Sequence, residues 1–227
     1  MKERIALDCD GVILNHIETV EVFINNKLNI NTKFSKKNLD NDLNISDKCF
    51  TLADNDSKSI RKNINKLLQE LYQIPDFWET HVPLINKNYM NKLNKLYDIY
   101  IVTGIKEKFK ENRIKNLYNI YNIDFSDKLF CTNGAYEDKS EIIKNINPIS
   151  YTDDMIHHLL RLIDTNIKLF FVDNFNKYNV YKEKYKLNGE IQNINSLKYL
   201  TKYLNNEKNE VSSSSNKRSR WLCSDFS

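Results

Sequence analysis

The chain has 227 residues, 41% hydrophobic and 28% charged, with a formal net charge of +4, enough apolar material for one sizeable core with room for an insertion. Its lysines are interleaved with Asn, Asp and Glu, a solvated surface that disfavours nucleic acid as a partner, and only "NKRSRW" near the end approaches a basic stripe. No run of about 18 apolar residues suggests a membrane span; the first ten residues lack a signal peptide's apolar stretch, and Cys9, Cys49, Cys131 and Cys223 are too scattered for a disulfide framework or a zinc knuckle, so a cytoplasmic protein is expected.

In chain order, the opening "RIALD" is a short apolar run of the kind that a strand buried on both faces shows, and it ends at two acids, Asp8 and Asp10. Ile17, Val20, Phe23, Ile24 and Leu28 then recur at helical spacing, predicting an amphipathic helix over 15–28. A polar stretch over 34–56 carries no clear period. Ser57 caps a second helix with the stripe Ile60, Ile64, Leu67, Leu68, Leu71 and Tyr72, which Pro75 stops. Two helices without a convincing strand between them predict a mainly helical insertion.

From Asn86 onward helical and strand-like segments alternate, the pattern of an α/β fold. The stripe Tyr89, Met90, Leu93, Leu96, Tyr97 leads into "IYIVTG", and Phe109, Ile114, Leu117, Tyr118 leads into "KLFCTN". A helix starting near Glu137 leads into "NPISYTDD", and one over 156–163 precedes "IKLFFVD". With the opening run this makes five buried strand candidates, which right-handed crossovers assemble into a doubly wound parallel sheet. A last helix over 197–204 covers one face, and residues 205–227, with a serine run and no apolar period, read as a disordered tail.

Ligands of an open parallel sheet bind outside the carboxyl ends of its strands. There the sequence places Asp8 and Asp10, then Thr103 and Gly104, then Asp153 and Asp154, with Lys139 at the start of the helix before the last of these strands. Carboxylates with a hydroxyl and an ammonium at one rim suit Mg²⁺ plus phosphate, because hard Mg²⁺ takes a couple of carboxylate oxygens and leaves positions for water and a phosphoryl group. Gly11 and Gly104 follow the first two strand ends, where positive φ or close backbone approach is needed. An EF-hand is excluded, because its glycine belongs at the sixth loop position and Gly11 is fourth from Asp8.

The order "DCDGV", "IVTG", the lysine of "DKSEI", then "SYTDD" resembles the four-motif signature of the haloacid dehalogenase superfamily over about residues 1–15 and 85–175. The resemblance implies a Rossmann-like catalytic core over 1–14 plus 85–204 and a small helical cap over 15–84. It implies Asp8 as the nucleophile of an aspartyl-phosphate route and Asp10 as acid and base, with Thr103, Gly104 and Lys139 holding the phosphoryl group. Mg²⁺ would be bound by Asp8, the carbonyl of Asp10, and one or both of Asp153 and Asp154. Lys128 and Lys144 stand near Lys139 as alternatives, and Asp153 and Asp154 can equally cap the following helix.

The expected activity is hydrolysis of a small phosphorylated metabolite by a Mg²⁺-dependent phosphatase. A phosphomutase or other phosphotransferase of the same fold, or a non-catalytic binding protein that kept it, are the other readings. The approach to the second motif is also similar to that of 5'(3')-deoxyribonucleotidases, and Phe23, Phe50, Phe77 and Trp78 are candidates to supply aromatic surface for a base. His16 sits at the expected cap hinge within reach of substrate, whereas His157 and His158, neighbours on a helix, read as surface or partly packed. Cys9 lies between the acids, and strand alternation turns it to the opposite face.

Overall fold

The computed structural model describes residues 1–35, 47–52 and 57–204; the expected tail over 205–227 lies outside the described residues. β1 (Arg4–Leu7) is followed by β2 (Leu14–Asn15), α1 (His16–Leu28), β3 (Thr32–Phe34), β4 (Phe50–Leu52), α2 (Ser57–Leu71), α3 (Pro75–Glu79) and β5 (Val82–Pro83). Then come α4 (Lys87–Leu96), β6 (Asp98–Thr103), α5 (Lys110–Tyr121), β7 (Leu129–Cys131), α6 (Ser140–Ile146) and β8 (Ser150–Asp153). The last elements are α7 (Ile156–Leu160), β9 (Lys168–Val172), α8 (Tyr178–Tyr185) and β10 (Ile191–Ile194).

Period-two alternation in the strands divides the core. Ile5 and Leu7, Ile99 and Ile101, and Phe170 and Val172 point to one apolar layer, shared with Met90 and Leu93 of α4 and Leu117 and Tyr121 of α5. Ala6, Val102, Leu169 and Phe171 point to the other, filled by Ile143 and Ile146 of α6 and Ile156 and Leu159 of α7. The six strands are parallel in the order β10-β9-β8-β1-β6-β7. The fold is thus the expected α/β architecture, a doubly wound Rossmann-like sheet with a mostly helical insertion. Its chain order reverses beside β1, which has β6 on one side and β8 on the other, so the crevice of the sheet opens at the end of β1.

Several details depart from the sequence reading. Among the described residues the large sheet has six strands rather than five. The sixth, β10, shows only Ile191 and Ile194 as buried residues, too sparse a signal at a sheet edge to register as a strand. The insertion holds an antiparallel pair, β3 against β4, three residues each and too short to leave a period. Pro75 does not stop α2, which ends at Leu71; it opens α3, where its missing N–H costs nothing. The helix expected near Glu137 begins at Ser140, and the terminal one starts as a 3₁₀ turn at Leu197–Tyr199.

With four glycines in all, the chain closes helices with asparagine instead. Asn29, Asn122 and Asn147 sit in the left-handed region after α1, α5 and α6, where a short polar side chain is tolerated next after glycine. The insertion has its own apolar cluster, including Val20, Phe23, Ile24, Phe50, Ile64, Leu71, Phe77 and Trp78, which leans on Ile105 and Phe109 beyond β6. It enters and leaves the core through β2 and β5, which pair antiparallel with Asn15 opposite Val82.

Candidate active site at the carboxyl ends of the strands

Three adjacent strands deliver the predicted residues to one place. Asp8 follows β1, its N–H donating to the Thr152 carbonyl of β8 at 2.8 Å; Thr103 closes β6 and Asp153 closes β8. Lys139, immediately before α6, reaches back so that its Nζ donates to Asp8 Oδ1 at 2.7 Å and to Asp153 Oδ2 at 2.9 Å. Lys128, one of the alternatives, instead pairs with Asp98 at the opposite end of β6, at 2.5 Å. Lys144 is exposed.

Asp153 has partners on both oxygens. Its Oδ2 also accepts the Tyr151 hydroxyl, and its Oδ1 accepts the Met155 N–H at 2.8 Å. Asp154 is partly exposed and takes one contact at 3.3 Å from Asn174 Nδ2, which donates to the Gly11 carbonyl at 2.8 Å as well. Gly11 is required there: its φ is +83°, and a Cβ would stand 1.8 Å from Asp154 Oδ2. Gly104 has no positive φ; it is needed for close approach, because a Cβ would meet Ala135 Cα at 2.6 Å. Beside it the Thr103 hydroxyl is buried without a hydrogen-bond partner among the described residues, an orphan donor of the kind that a ligand oxygen satisfies.

Electrostatics at the rim favour a cation. Ligand oxygens of Asp8, Asp153 and Asp154 lie within 4.8 Å of one another, and among the described residues Lys139 alone bonds to this set through its side-chain cation. Burial raises the Asp8 pKa to about 7, with Lys139 opposing and Asp153 and Asp10 adding to the rise. Burial and the Asp8 and Asp153 carboxylates push Asp154 well above the usual range too. Burial acts the same way on Asp153, but there Lys139, His158 and Tyr151 outweigh it and the net shift is downward. Crowded oxygen donors that resist ionising together match a hard divalent ion such as Mg²⁺, and such an ion would relieve the repulsion.

Asp10 faces a different group. Arg113 Nη2 donates to its Oδ1 at 2.9 Å and Oδ2 at 3.2 Å, and His81 Nε2 lies 3.5 Å from Oδ1. Arg113 is fully buried, its guanidinium 5.3 Å from the Trp78 ring centre. His81 stacks on the ring of that tryptophan, and His16 joins it with Nδ1 3.0 Å from His81 Nε2. Burial, then the Arg113 charge, hold the His81 pKa well below the usual imidazole value; burial lowers His16 as well. Sequence reasoning did not single out Arg113 or His81. Arg113 had a signal, because it stands four residues from both Phe109 and Leu117 and therefore on the buried stripe of its helix.

A cavity of about 660 Å³ rises from this floor, lined by Asp8, Asp10, Lys139 and Asp154 below and by His16, Glu21, Phe34 and Tyr72 of the insertion above. The aromatic surface expected from Phe23, Phe50 and Phe77 is not there; all three are buried in the insertion's own cluster. Trp78 lines the cavity, yet its ring stacks on His81 and Phe109 and is also close to Arg113. His158, expected at the surface or partly packed, is 1% exposed, with Nε2 2.9 Å from the Ala135 carbonyl oxygen. Cys9 is buried in the apolar layer, away from the cavity.

The parallel sheet, the insertion after β1 and this rim define a Rossmann-like α/β protein whose site suits hydrolytic or phosphoryl-transfer chemistry. No family model matches the chain, and no curated protein matches its sequence. Solved structures do resemble it. A haloacid dehalogenase-like family hydrolase from Xanthomonas campestris superposes with a TM-score of 0.51 at 7% identity, covering 94% of each chain. A protein described as the HAD-hydrolase YfnB of Bacillus subtilis, bound to magnesium, gives 0.50 at 14% identity over 90% of this chain and 99% of that one. One described as a beta-phosphoglucomutase, from Thermotoga maritima, gives 0.50 at 10% identity over the same shares. At such identities the likeness defines the fold: this chain has the haloacid dehalogenase-like fold with a cap.

Proposed function

We propose that the chain is a Mg²⁺-dependent phosphatase that hydrolyses a small phosphomonoester through an aspartyl-phosphate on Asp8. The observation that carries this reading is the Lys139 ammonium bonded to Asp8 on the cavity floor, with Asp10 and Gly104 lining the floor beside them. An Asp8 oxygen attacks phosphorus, and the bond to the leaving oxygen breaks as Asp10 delivers a proton to it. Asp10 then takes a proton from the water that attacks the phosphorylated Asp8, releasing phosphate. Lys139, the Thr103 hydroxyl and the backbone at Gly104 hold the phosphoryl oxygens as charge spreads over them. Arg113 orients Asp10 through its two contacts.

Asp8, the Asp10 carbonyl and Asp154 would hold Mg²⁺, with Asp153 fixing Lys139 instead; the ion supplies the positive charge that lets an anionic carboxylate approach an anionic phosphate. In this reading residues 1–14 and 85–204 carry the chemistry and 15–84 cover it, excluding water and limiting substrates to small metabolites. Tyr72 and Tyr136, both on the cavity wall and exposed, are the surfaces on which a nucleotide base would rest. Phosphate release from a panel of sugar phosphates, nucleotides and an aryl phosphate tests the proposal. Turnover with Mg²⁺ that EDTA and Asp8→Asn abolish is expected; turnover that survives either treatment overturns it.

A further inference from the structure

The hinge assembles a second set of donor atoms. Because Asn15 stands opposite Val82 in the β2–β5 pair, the next residues outward, His16 and His81, meet across it. Asp10 completes the set, one donor atom from each of Asp10, His16 and His81 lying within 4.8 Å of the others. Residues 65 positions apart are thereby held together by backbone pairing, independently of any ligand.

Hydrogen positions follow from the partners. The Phe77 carbonyl can only accept, so His81 Nδ1, 3.0 Å away, carries the proton and a neutral ring presents a bare Nε2. That lone pair faces Asp10 Oδ1, a second one, at 3.5 Å. His16 Nδ1 donates to His81 Nε2 in one tautomer. In the other, its proton moves to Nε2, where the Tyr72 hydroxyl 3.3 Å away accepts it, and a third lone pair turns inward. Each donor then has an outer partner already in place: Phe77 for His81, Tyr72 for His16 and Arg113 for Asp10. Outer partners of this sort fix the tautomer and direction of metal-binding side chains.

We propose that Asp10, His16 and His81 form a binding site for a transition-metal dication of the Zn²⁺ class, separate from the all-oxygen Asp8–Asp153–Asp154 set. Two imidazole nitrogens and one carboxylate oxygen suit Zn²⁺ and are poor ligands for Mg²⁺. Occupancy engages the Asp10 oxygen that the proposed hydrolysis needs and ties both hinge strands to the loop after β1. Zn²⁺ therefore inhibits at saturating Mg²⁺, a consequence that rests on the phosphatase reading; the binding itself does not.

Co²⁺ titrated into the full chain in excess Mg²⁺ is the probe, read by visible absorption, with Zn²⁺ followed by calorimetry. One equivalent is expected, with His16→Gln and His81→Gln each weakening it about tenfold or more and Asp154→Asn leaving it unchanged. Nitrogen shifts of the His16 and His81 rings on adding Zn²⁺ to the unaltered protein give the same answer should a variant fail to fold. Binding that survives both histidine variants, binding lost in Asp154→Asn, or unshifted ring nitrogens overturn the site. Bound Zn²⁺ that leaves phosphate release untouched overturns the inhibition, and bound Zn²⁺ in a chain without turnover on any phosphomonoester counts against the phosphatase reading alone.

Discussion

Replacing Lys139 by methionine keeps the length of the side chain and removes its charge. Its Nζ lies 2.7 Å from Asp8 and 2.9 Å from Asp153, with all three side chains no more than 7% exposed. At an effective dielectric of about 20, each contact is a gross attraction of about 6 kcal/mol. Desolvation offsets most of it, and what an unfolding measurement reads is the cost of stranding the carboxylates, about 3–5 kcal/mol. In a chain of this size that lowers Tm by roughly 6–20 °C. The loss depends on pH. Burial already raises Asp8 to about 7 against the pull of Lys139, and without the ammonium it rises further. A carboxyl raised in the folded state favours folding below its unfolded pKa and loses that contribution as pH climbs through the folded one. Urea unfolding in EDTA should therefore show a larger deficit for Lys139→Met at pH 8 than at pH 5.5. A deficit under about 1 kcal/mol at pH 8, or one equal at both pH values, would refute the charge argument.

Arg113→Met should lower phosphate release about 100-fold, as Asp10 loses its orienting partner. Unfolding free energy should fall by about 1.5–3 kcal/mol, the worth of the charged Nη2 contacts to Asp10, since Nε and Nη1 of the buried guanidinium have no partner to lose among the described residues; unaltered turnover would count against the assignment. Gly11→Ala forces a side chain to φ +83° and displaces Asp154, so stability should fall by at least 1–2 kcal/mol, roughly the left-handed penalty. Mg²⁺ affinity measured by calorimetry should fall with it, and unchanged affinity would exclude Asp154 as a ligand. His158 is lowered to about 4, chiefly by burial, so the stability it allows above pH 6.5 drains away as pH falls to 4, by up to about 3 kcal/mol. His158→Gln keeps a donor for the Ala135 carbonyl and does not titrate; acid unfolding of this variant that parallels the wild type would dismiss His158 as the cause.

Asp8 and Asp153 were legible because each ends a strand-like run, and a polar group there has few places to go but the strand-end crevice. Lys139 was legible by order alone, since Lys128 and Lys144 have the same chemistry and differ only in where the chain carries them. Arg113 was half legible: the helical period put it on the buried side, but its partner Asp10 is 103 residues away. His81 left no local trace. Its meaning comes from strand pairing across the whole insertion, information that side-chain periodicity does not hold. β10 and the β3–β4 pair were missed for a related reason, because short edge strands bury too few side chains to impose a period.

Asn15 and Val82 being cross-strand neighbours, their Cα atoms are about 5 Å apart, and everything between them leaves and rejoins the core at nearly one point. To the sheet, 66 residues are equivalent to the tip of a hairpin. Excising them and closing the gap with a two-residue turn would leave every strand of the large sheet and both of its apolar layers in register. A lineage could therefore lengthen, shorten or exchange this segment without renegotiating the rim beneath it, so that what is admitted and what is done to it are inherited on separable stretches of one chain.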